Sequence, residues 1–266
     1  MNEEEIFEYY HARAVIAGPG RLIKSGKEAS VYRCPAHPNQ ACREVAVKIY
    51  KDIETRSFKS AKSYLDGRIG RSVRKRRDIL HMLSDPDTMQ AYWVDAERDA
   101  LERLYAAGCP VPRPLGASSR AIAMEFILDG DEAAPRLIEA EPDAAEAGAL
   151  MAALLGAVRT MLAADLVHGD LSPYNVLVRG GLPVVIDFPQ AADARYSSRA
   201  FELLARDLRN VVAYFEKLGL RGCPEPEGLA AELWASYASG ELYRERQAAE
   251  LARSWGLDGL VGAARA

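Results

Sequence analysis

Short β-branched runs separated by turn residues fill the first third of the chain, and long stretches at helical spacing fill most of the remainder. Leu22-Ile23 and Val31-Tyr32 flank the turn-forming Ser25-Gly26-Lys27-Glu28. A Pro/Asn loop over Pro35–Gln40 then leads to Val45-Ala46-Val47-Lys48-Ile49-Tyr50, which reads as a buried strand. Over about 52–87 the pattern turns polar and charged, which predicts a long, mobile, basic insertion ending in a helix. Trp93, Glu97, Ala100, Leu101 and Leu104 recur at helical spacing and predict a helix over about 89–107. Gly108 and the prolines of Cys109–Pro114 stop it.

Ala121–Ile127 predicts another strand, ended by Asp129-Gly130-Asp131. Beyond it the character changes. The Ala- and Leu-rich stretch 143–164 predicts a helix whose acidic first turn suits the helix dipole. Val176–Val178 and Val184–Ile186 flank a Gly180-Gly181 turn, and further helices are expected near 198–218, 227–238 and 241–254. The order predicts an α+β fold class: a strand-rich N-terminal lobe over 1–128, a hinge near 128–131 and a mostly helical lobe over 129–266.

Composition adds boundaries. The 266 residues are 49% hydrophobic and 27% charged, as in ordinary globular chains. A formal charge of −4 does not advertise nucleic-acid binding by the whole molecule, so any basic contact must be local. No apolar run approaches the roughly 20 residues of a membrane span, and the acidic Met1–Glu5 start is unlike a signal peptide. Four cysteines without framework spacing suit a reducing compartment, so the cytoplasm is the expected location.

The chemistry concentrates in Leu166-Val167-His168-Gly169-Asp170-Leu171-Ser172-Pro173-Tyr174-Asn175 and Val184-Val185-Ile186-Asp187. An Asp, an Asn five positions on and an Asp opening the next segment are the parts that phosphoryl transfer from Mg-ATP requires. One carboxylate receives the acceptor's proton; a carboxamide and a second carboxylate hold Mg²⁺ (Mn²⁺ suits the same oxygen donors) against the phosphates. Asp170 is thus the expected catalytic base, and Asn175 and Asp187 the expected metal ligands. Lys48, at the end of a Val-Ala-Val-Lys strand, presents an ammonium to the α and β phosphates, and Glu97 on the following helix is expected to pair with it. Ser25–Tyr32 occupies the place of a phosphate-covering loop, with backbone N–H groups and the Ser30 hydroxyl facing ATP. His168 reads as a support for the loop rather than a base. Cys34, His37 and Cys42 supply only three ligands for zinc, too few for a structural site.

Gly26–Tyr32, Met124–Ile127 with Ala134-Pro135-Arg136-Leu137, His168–Asn175, Trp93 with Glu97, and Arg206–Val211 together resemble the RIO family of atypical protein kinases, over about residues 20–220. The resemblance is to the simpler branch without an N-terminal winged helix, in a compact prokaryotic form. It implies a two-lobed protein-kinase-like fold with one main helix in the sheet lobe and with reduced activation segment and substrate-binding helices. It implies that Asp187 is also phosphorylated by ATP, giving an aspartyl-phosphate and an ATPase-like cycle. Met124 would precede the hinge, the Glu125 carbonyl and Ile127 N–H would pair the adenine edge, and Ala46 and Leu177 would wall the ring. Asp207 would brace the catalytic loop from within the core.

Departures from ordinary kinases narrow the expectation. Asp187 is followed by Phe188-Pro189-Gln190, no Ala-Pro-Glu follows, and Gly169 replaces the Arg that would clamp a phosphorylated activation loop. Arg68–Arg77 carries six cations without an acid; it reads as a solvated face or, given the resemblance, as an RNA or ribosomal contact made through phosphates. Two other readings stay open: a small-molecule phosphotransferase of the aminoglycoside or choline kinase type, which shares His-Gly-Asp-Leu, and a silent nucleotide-binding scaffold.

Overall fold

The computed structural model describes residues 1–51 and 86–254. The insertion read over 52–87, including Arg68–Arg77, lies almost wholly outside the described residues.

The chain opens with helix α1 (Glu3–Ala12), which the reading of the acidic N-terminus as a mere non-signal segment passed over. Asn2 accepts from the Glu5 N–H while Glu5 reaches back to the Asn2 N–H, a reciprocal cap that the Asn-x-x-Glu spacing encodes. Five antiparallel strands follow: β1 (Arg21–Ser25), β2 (Ala29–Pro35), β3 (Glu44–Tyr50), β4 (Pro114–Ala117) and β5 (Ala121–Glu125). They lie in the order β1-β2-β3-β5-β4. Strand β4 begins at Pro114, where the sequence predicts only the end of the preceding helix. Pro114 sits at the first position of an edge strand, where its missing N–H leaves no ladder bond unmade.

Helix α2 (Pro86–Ala106) runs between β3 and β4. Period-two alternation splits β3 between two environments. Val45, Val47 and Ile49 face Ile6 and Tyr10 of α1 in a core of their own, and the Tyr10 hydroxyl donates to the Ala121 carbonyl at 2.8 Å. Ala46, Lys48 and Tyr50 face the other way. Strand β5 stops at Glu125 rather than at Ile127, and the expected hinge carries a small hairpin of β6 (Leu128–Asp129) and β7 (Glu132–Ala133), turned at Gly130 with φ 63°.

The helical part begins with α3 (Ala144–Ala163), capped reciprocally by Asp143 and Glu146. Among the described residues α3 alone is apolar enough, by length and composition, to cross a membrane, which corrects the reading that no run approaches that length. In the structure it is a core helix: Leu150, Leu154, Met161 and Leu162 are buried against Leu208, Val212 and Phe215 of α4 (Ala200–Lys217) and Phe188. The same core continues to Tyr50, Leu101 and Ile122, so sheet and helices share one apolar interior. Helices α5 (Pro226–Ala238) and α6 (Glu241–Ser254) close this part. Between α3 and α4 lie the two-residue strand β8 (Leu166–Val167), a single 3-10 turn (Pro173–Asn175), the hairpin β9 (Val176–Arg179)–β10 (Leu182–Val185), and β11 (Ala192–Asp193), which pairs with β8. Gly180 and Gly181 take φ 56° and 74°, the left-handed pair that a two-residue hairpin turn demands.

Candidate active site

A cleft of about 680 Å³ opens between the sheet and the β9–β10 hairpin. Its sheet side is formed by the turn between β1 and β2 with Val31, Ala46 and Lys48; its opposite side by Asn175, Leu177, Ile186 and Asp187; its back by Met124–Ile127. Ala46 and Leu177 therefore stand on opposite walls. Ile127 is 4% exposed, and among the described residues no acceptor meets its backbone N–H. A flat heterocycle slotted between these walls would meet that donor.

Charge organises the deep end. Lys48 Nζ donates to both oxygens of Glu97, at 2.8 and 3.1 Å, and to Asp187 Oδ1 at 2.6 Å. Glu97 is 3% exposed and also accepts from the Tyr50 hydroxyl and, at 3.3 Å, from the Phe188 N–H. Burial pulls the Lys48 pKa down, but the two carboxylates more than offset this and hold it above the ordinary value. Burial likewise lifts the Asp187 carboxyl, and the adjacent ammonium outweighs it, so Asp187 stays ionised below the usual carboxylate range. Asp187 sits at φ 71°, a left-handed conformation that costs a non-glycine residue about 1–3 kcal/mol and recurs at functional positions.

The Asp170 loop is held from behind. Asp207, buried on α4, accepts from the Gly169 N–H at 2.8 Å and the Leu171 N–H at 3.0 Å. Arg206 donates to the Gly169 carbonyl, and Asn210 Nδ2 to that of Leu171 at 3.1 Å. His168 is 2% exposed; its Nε2 lies 3.1 Å from the Ile186 carbonyl and its Nδ1 accepts the Asp170 N–H at 3.2 Å. Those partners require one protonated and one free ring nitrogen, and burial agrees by lowering the His168 pKa. The neutral ring thus ties the Asp170 loop to the segment carrying Asp187. Gly169 has φ 77°, and a Cβ there would lie 2.4 Å from the Gln190 carbonyl oxygen. The Gly that stands where ordinary kinases carry Arg is demanded by the backbone itself.

Asp170 is exposed at the cleft's rim. Asn175 Nδ2 donates to the Asp170 carbonyl at 2.9 Å and lies 3.5 Å from Asp170 Oδ2, which leaves Asn175 Oδ1 free of donors among the described residues. A neutral amide oxygen and an ionised carboxylate are hard oxygen donors that suit Mg²⁺ completed by phosphate and water oxygens. Among the described residues no group of three or more His, Cys, Asp or Glu could hold a metal by protein ligands alone.

Most residues named from the sequence line this cleft; Asp170 borders it through its contact with Asn175, and Ser30 stands apart. Ser30 is 7% exposed, does not line the cleft, and its hydroxyl contacts Ser25 Oγ at 3.2 Å. Ala29 and Val31 beside it line the cleft instead, since neighbours on a strand face opposite ways. The turn itself is pinned by Lys51, which donates to Ser25 Oγ at 2.8 Å and the Gly26 carbonyl at 2.7 Å. Sequence reading also missed Glu28, which lines the cleft and whose carboxyl burial lifts, and Tyr50. Tyr50 carried a legible signal: it lies two positions after Lys48, on the same strand face.

The antiparallel sheet with α1 and α2 beside it, followed by the mostly helical C-terminal part, makes this a protein-kinase-like fold. A family model described as the RIO domain matches residues 30–227, and the chain belongs to the RIO family. It is 35% identical over 219 residues to the serine/threonine-protein kinase RIO1 of Chaetomium thermophilum, covering 78% of this chain and 41% of that protein. It is 34% identical over 200 residues to the RIO-type serine/threonine-protein kinase Rio1 of Haloferax volcanii, covering 75% of this chain and 64% of that protein. The corresponding Thermoplasma acidophilum protein is 32% identical over 183 residues, 68% of this chain and 89% of its own length. The crystal structure of the Rio2 kinase-ADP/Mg²⁺-phosphoaspartate complex from Chaetomium thermophilum shares the fold at TM-score 0.60 and 20% identity, over 93% of this chain and 76% of that one. Family membership sets aside the aminoglycoside or choline kinase reading.

Proposed function

We propose that this protein is an ATP- and Mg²⁺-dependent serine/threonine kinase of RIO type that phosphorylates itself, hydrolyses ATP, or both. The observation that carries this is the single ammonium of Lys48 held between Glu97 and Asp187 at the deep end of the cleft. Ala46, Met124 and Leu177 bind the adenine ring, with the Glu125 carbonyl and the Ile127 N–H on its edge. Lys48 holds the α and β phosphates, and Asn175 and Asp187 hold Mg²⁺. The ion supplies offset of phosphate charge when bound.

Two routes then follow from the chain's own groups. In the first, Asp170 takes the proton of a serine or threonine hydroxyl as its oxygen attacks the γ-phosphorus and ADP leaves. In the second, the Asp187 oxygen not paired with Lys48 attacks the γ-phosphorus, the bond to the β–γ bridging oxygen breaks, and an aspartyl-phosphate and ADP result; water then releases phosphate. A phosphoaspartate is described for the Chaetomium Rio2 kinase of the same fold, and here that chemistry would fall on Asp187.

Residues 1–128 form the nucleotide-binding lobe and 129–266 the catalytic lobe in this reading. A protein substrate, RNA or ribosomal contact through Arg68–Arg77, and a cytoplasmic location complete it. The test is incubation with γ-labelled ATP. Label on the protein that is stable in acid and lost in hydroxylamine supports the second route; label on serine or threonine supports the first. Neither protein label nor ADP release means the proposal fails.

A further inference from the structure

We propose that Tyr50 is a positioning residue for phosphoryl transfer: its hydroxyl fixes Glu97, and through Glu97 the Lys48 ammonium, while its backbone clasps α2 to the sheet. The inference rests on the kinase reading above and deepens it.

Three observations on different atoms converge. Tyr50 follows Lys48 by two on β3, so both side chains leave the same face, and Lys48 Nζ lies 5.3 Å from the Tyr50 ring centroid. The ring is 6% exposed and belongs to the core cluster that includes Val94 and Leu101 of α2. Its hydroxyl donates to Glu97 Oε2, the oxygen that Lys48 reaches at 3.1 Å, while Oε1 takes Lys48 at 2.8 Å and the Phe188 N–H at 3.3 Å. Glu97 thus has both oxygens doubly occupied, about all that a carboxylate accepts, and cannot turn without breaking contacts on two elements. About two turns earlier on α2, Gln90 is 4% exposed and its Nε2 donates to the Tyr50 carbonyl at 3.2 Å and the Lys51 carbonyl at 3.3 Å. Tyr50 therefore holds α2 at two points, by hydroxyl and by carbonyl.

The consequence is regulatory. Kinases that switch by moving this helix break the Lys–Glu pair when it swings. Here the helix is fastened to the same strand that carries the lysine, and Asp187 needs no phosphorylated activation loop to meet Lys48. The pairing is built into the fold, and removing the hydroxyl loosens it.

Tyr50→Phe keeps the ring in the core and deletes only the donor. The kcat for ADP release is expected to fall about tenfold, the scale of a hydrogen bond to a charged group, with KM for ATP changed less than about twofold. In a Glu97→Leu background, where no side-chain acceptor remains for the hydroxyl, the same replacement is expected to cost less than about twofold. Equal losses in both backgrounds would mean that Tyr50 serves packing alone and would overturn the proposal. A nucleotide-free readout stands apart from activity. Amides of α2 should exchange hydrogen faster in Tyr50→Phe than in the wild type, with α4 unchanged; unaltered exchange in α2 overturns the proposal. If the wild type shows no ATP turnover, the kinase reading falls, and the exchange comparison still decides the role of Tyr50.

Discussion

Lys48 Nζ stands 2.6 Å from Asp187 Oδ1 while holding Glu97, so one cation joins β3, α2 and the segment after β10. Lys48→Met removes that cation and leaves two carboxylates uncompensated. ATP turnover is expected to fall by at least about 100-fold, the loss typical when a group facing developing charge is removed. The same variant reports on acid stability. The Asp187 pKa is depressed in the native state, so its contribution to stability is full above the ordinary value near about 4 and is lost as pH falls through the lower native value. In Lys48→Met burial loses its main opponent, so the acid limb of the urea midpoint should move to higher pH.

Asp170 lies at the rim with its backbone fixed by His168 and Asn175. Asp170→Ala is expected to lower phosphate transfer to serine or threonine by about 10²–10⁴-fold, the usual worth of a positioned base. ATP binding, followed by calorimetry, should change less than about threefold. Wild-type transfer by this variant would remove Asp170 from the mechanism.

Gly169→Ala places a methyl against the Gln190 carbonyl oxygen at a φ of 77°. The backbone must shift, which is expected to cost about 1–3 kcal/mol of stability and to displace the neighbouring Asp170. Urea unfolding and turnover measured together check this; a variant as stable and active as the parent would contradict the packing described.

Burial lifts the Asp207 carboxyl to about 7, although N–H donors from Gly169 and Leu171 favour its ionised form. A raised carboxyl pKa means that the native state binds a proton between about 4 and 7 that the unfolded chain has released. Its contribution to stability therefore falls as pH rises through that window and is flat above it. Asp207→Asn removes this titration, so stability should vary less with pH there. Its amide offers one acceptor atom for two N–H groups, which is expected to cost about 1–3 kcal/mol. Denaturant curves at a series of pH values measure both effects.

Much of the site was legible because its parts are local. Asp170 and Asn175 share one loop, the Gly180-Gly181 turn announces the hairpin carrying Leu177, and the alternation of β3 marks Ala46 and Lys48 as one face. Helix α1 was written in Asn2 and Glu5, but its amphipathic stripe is only Ile6 and Tyr10, too little for periodicity to announce. Ser30 failed for the opposite reason. Its place in a loop-like motif suggested a cleft-facing hydroxyl, whereas the observed strand pairing of β2 starts at Ala29 and turns Ser30 toward Ser25.

By itself the chain's order of residues determined the fold class and the identity of the charged groups, because each depends on side-chain type and short spacing. Only the tertiary structure decided how they meet. Lys48 and Asp187 are separated by 139 positions, and Tyr50 and Glu97 by 47. Spacing along a chain specifies neither contact. Each exists because β3, α2 and the segment after β10 converge on one apolar core, where a buried charge must find partners to stay ionised.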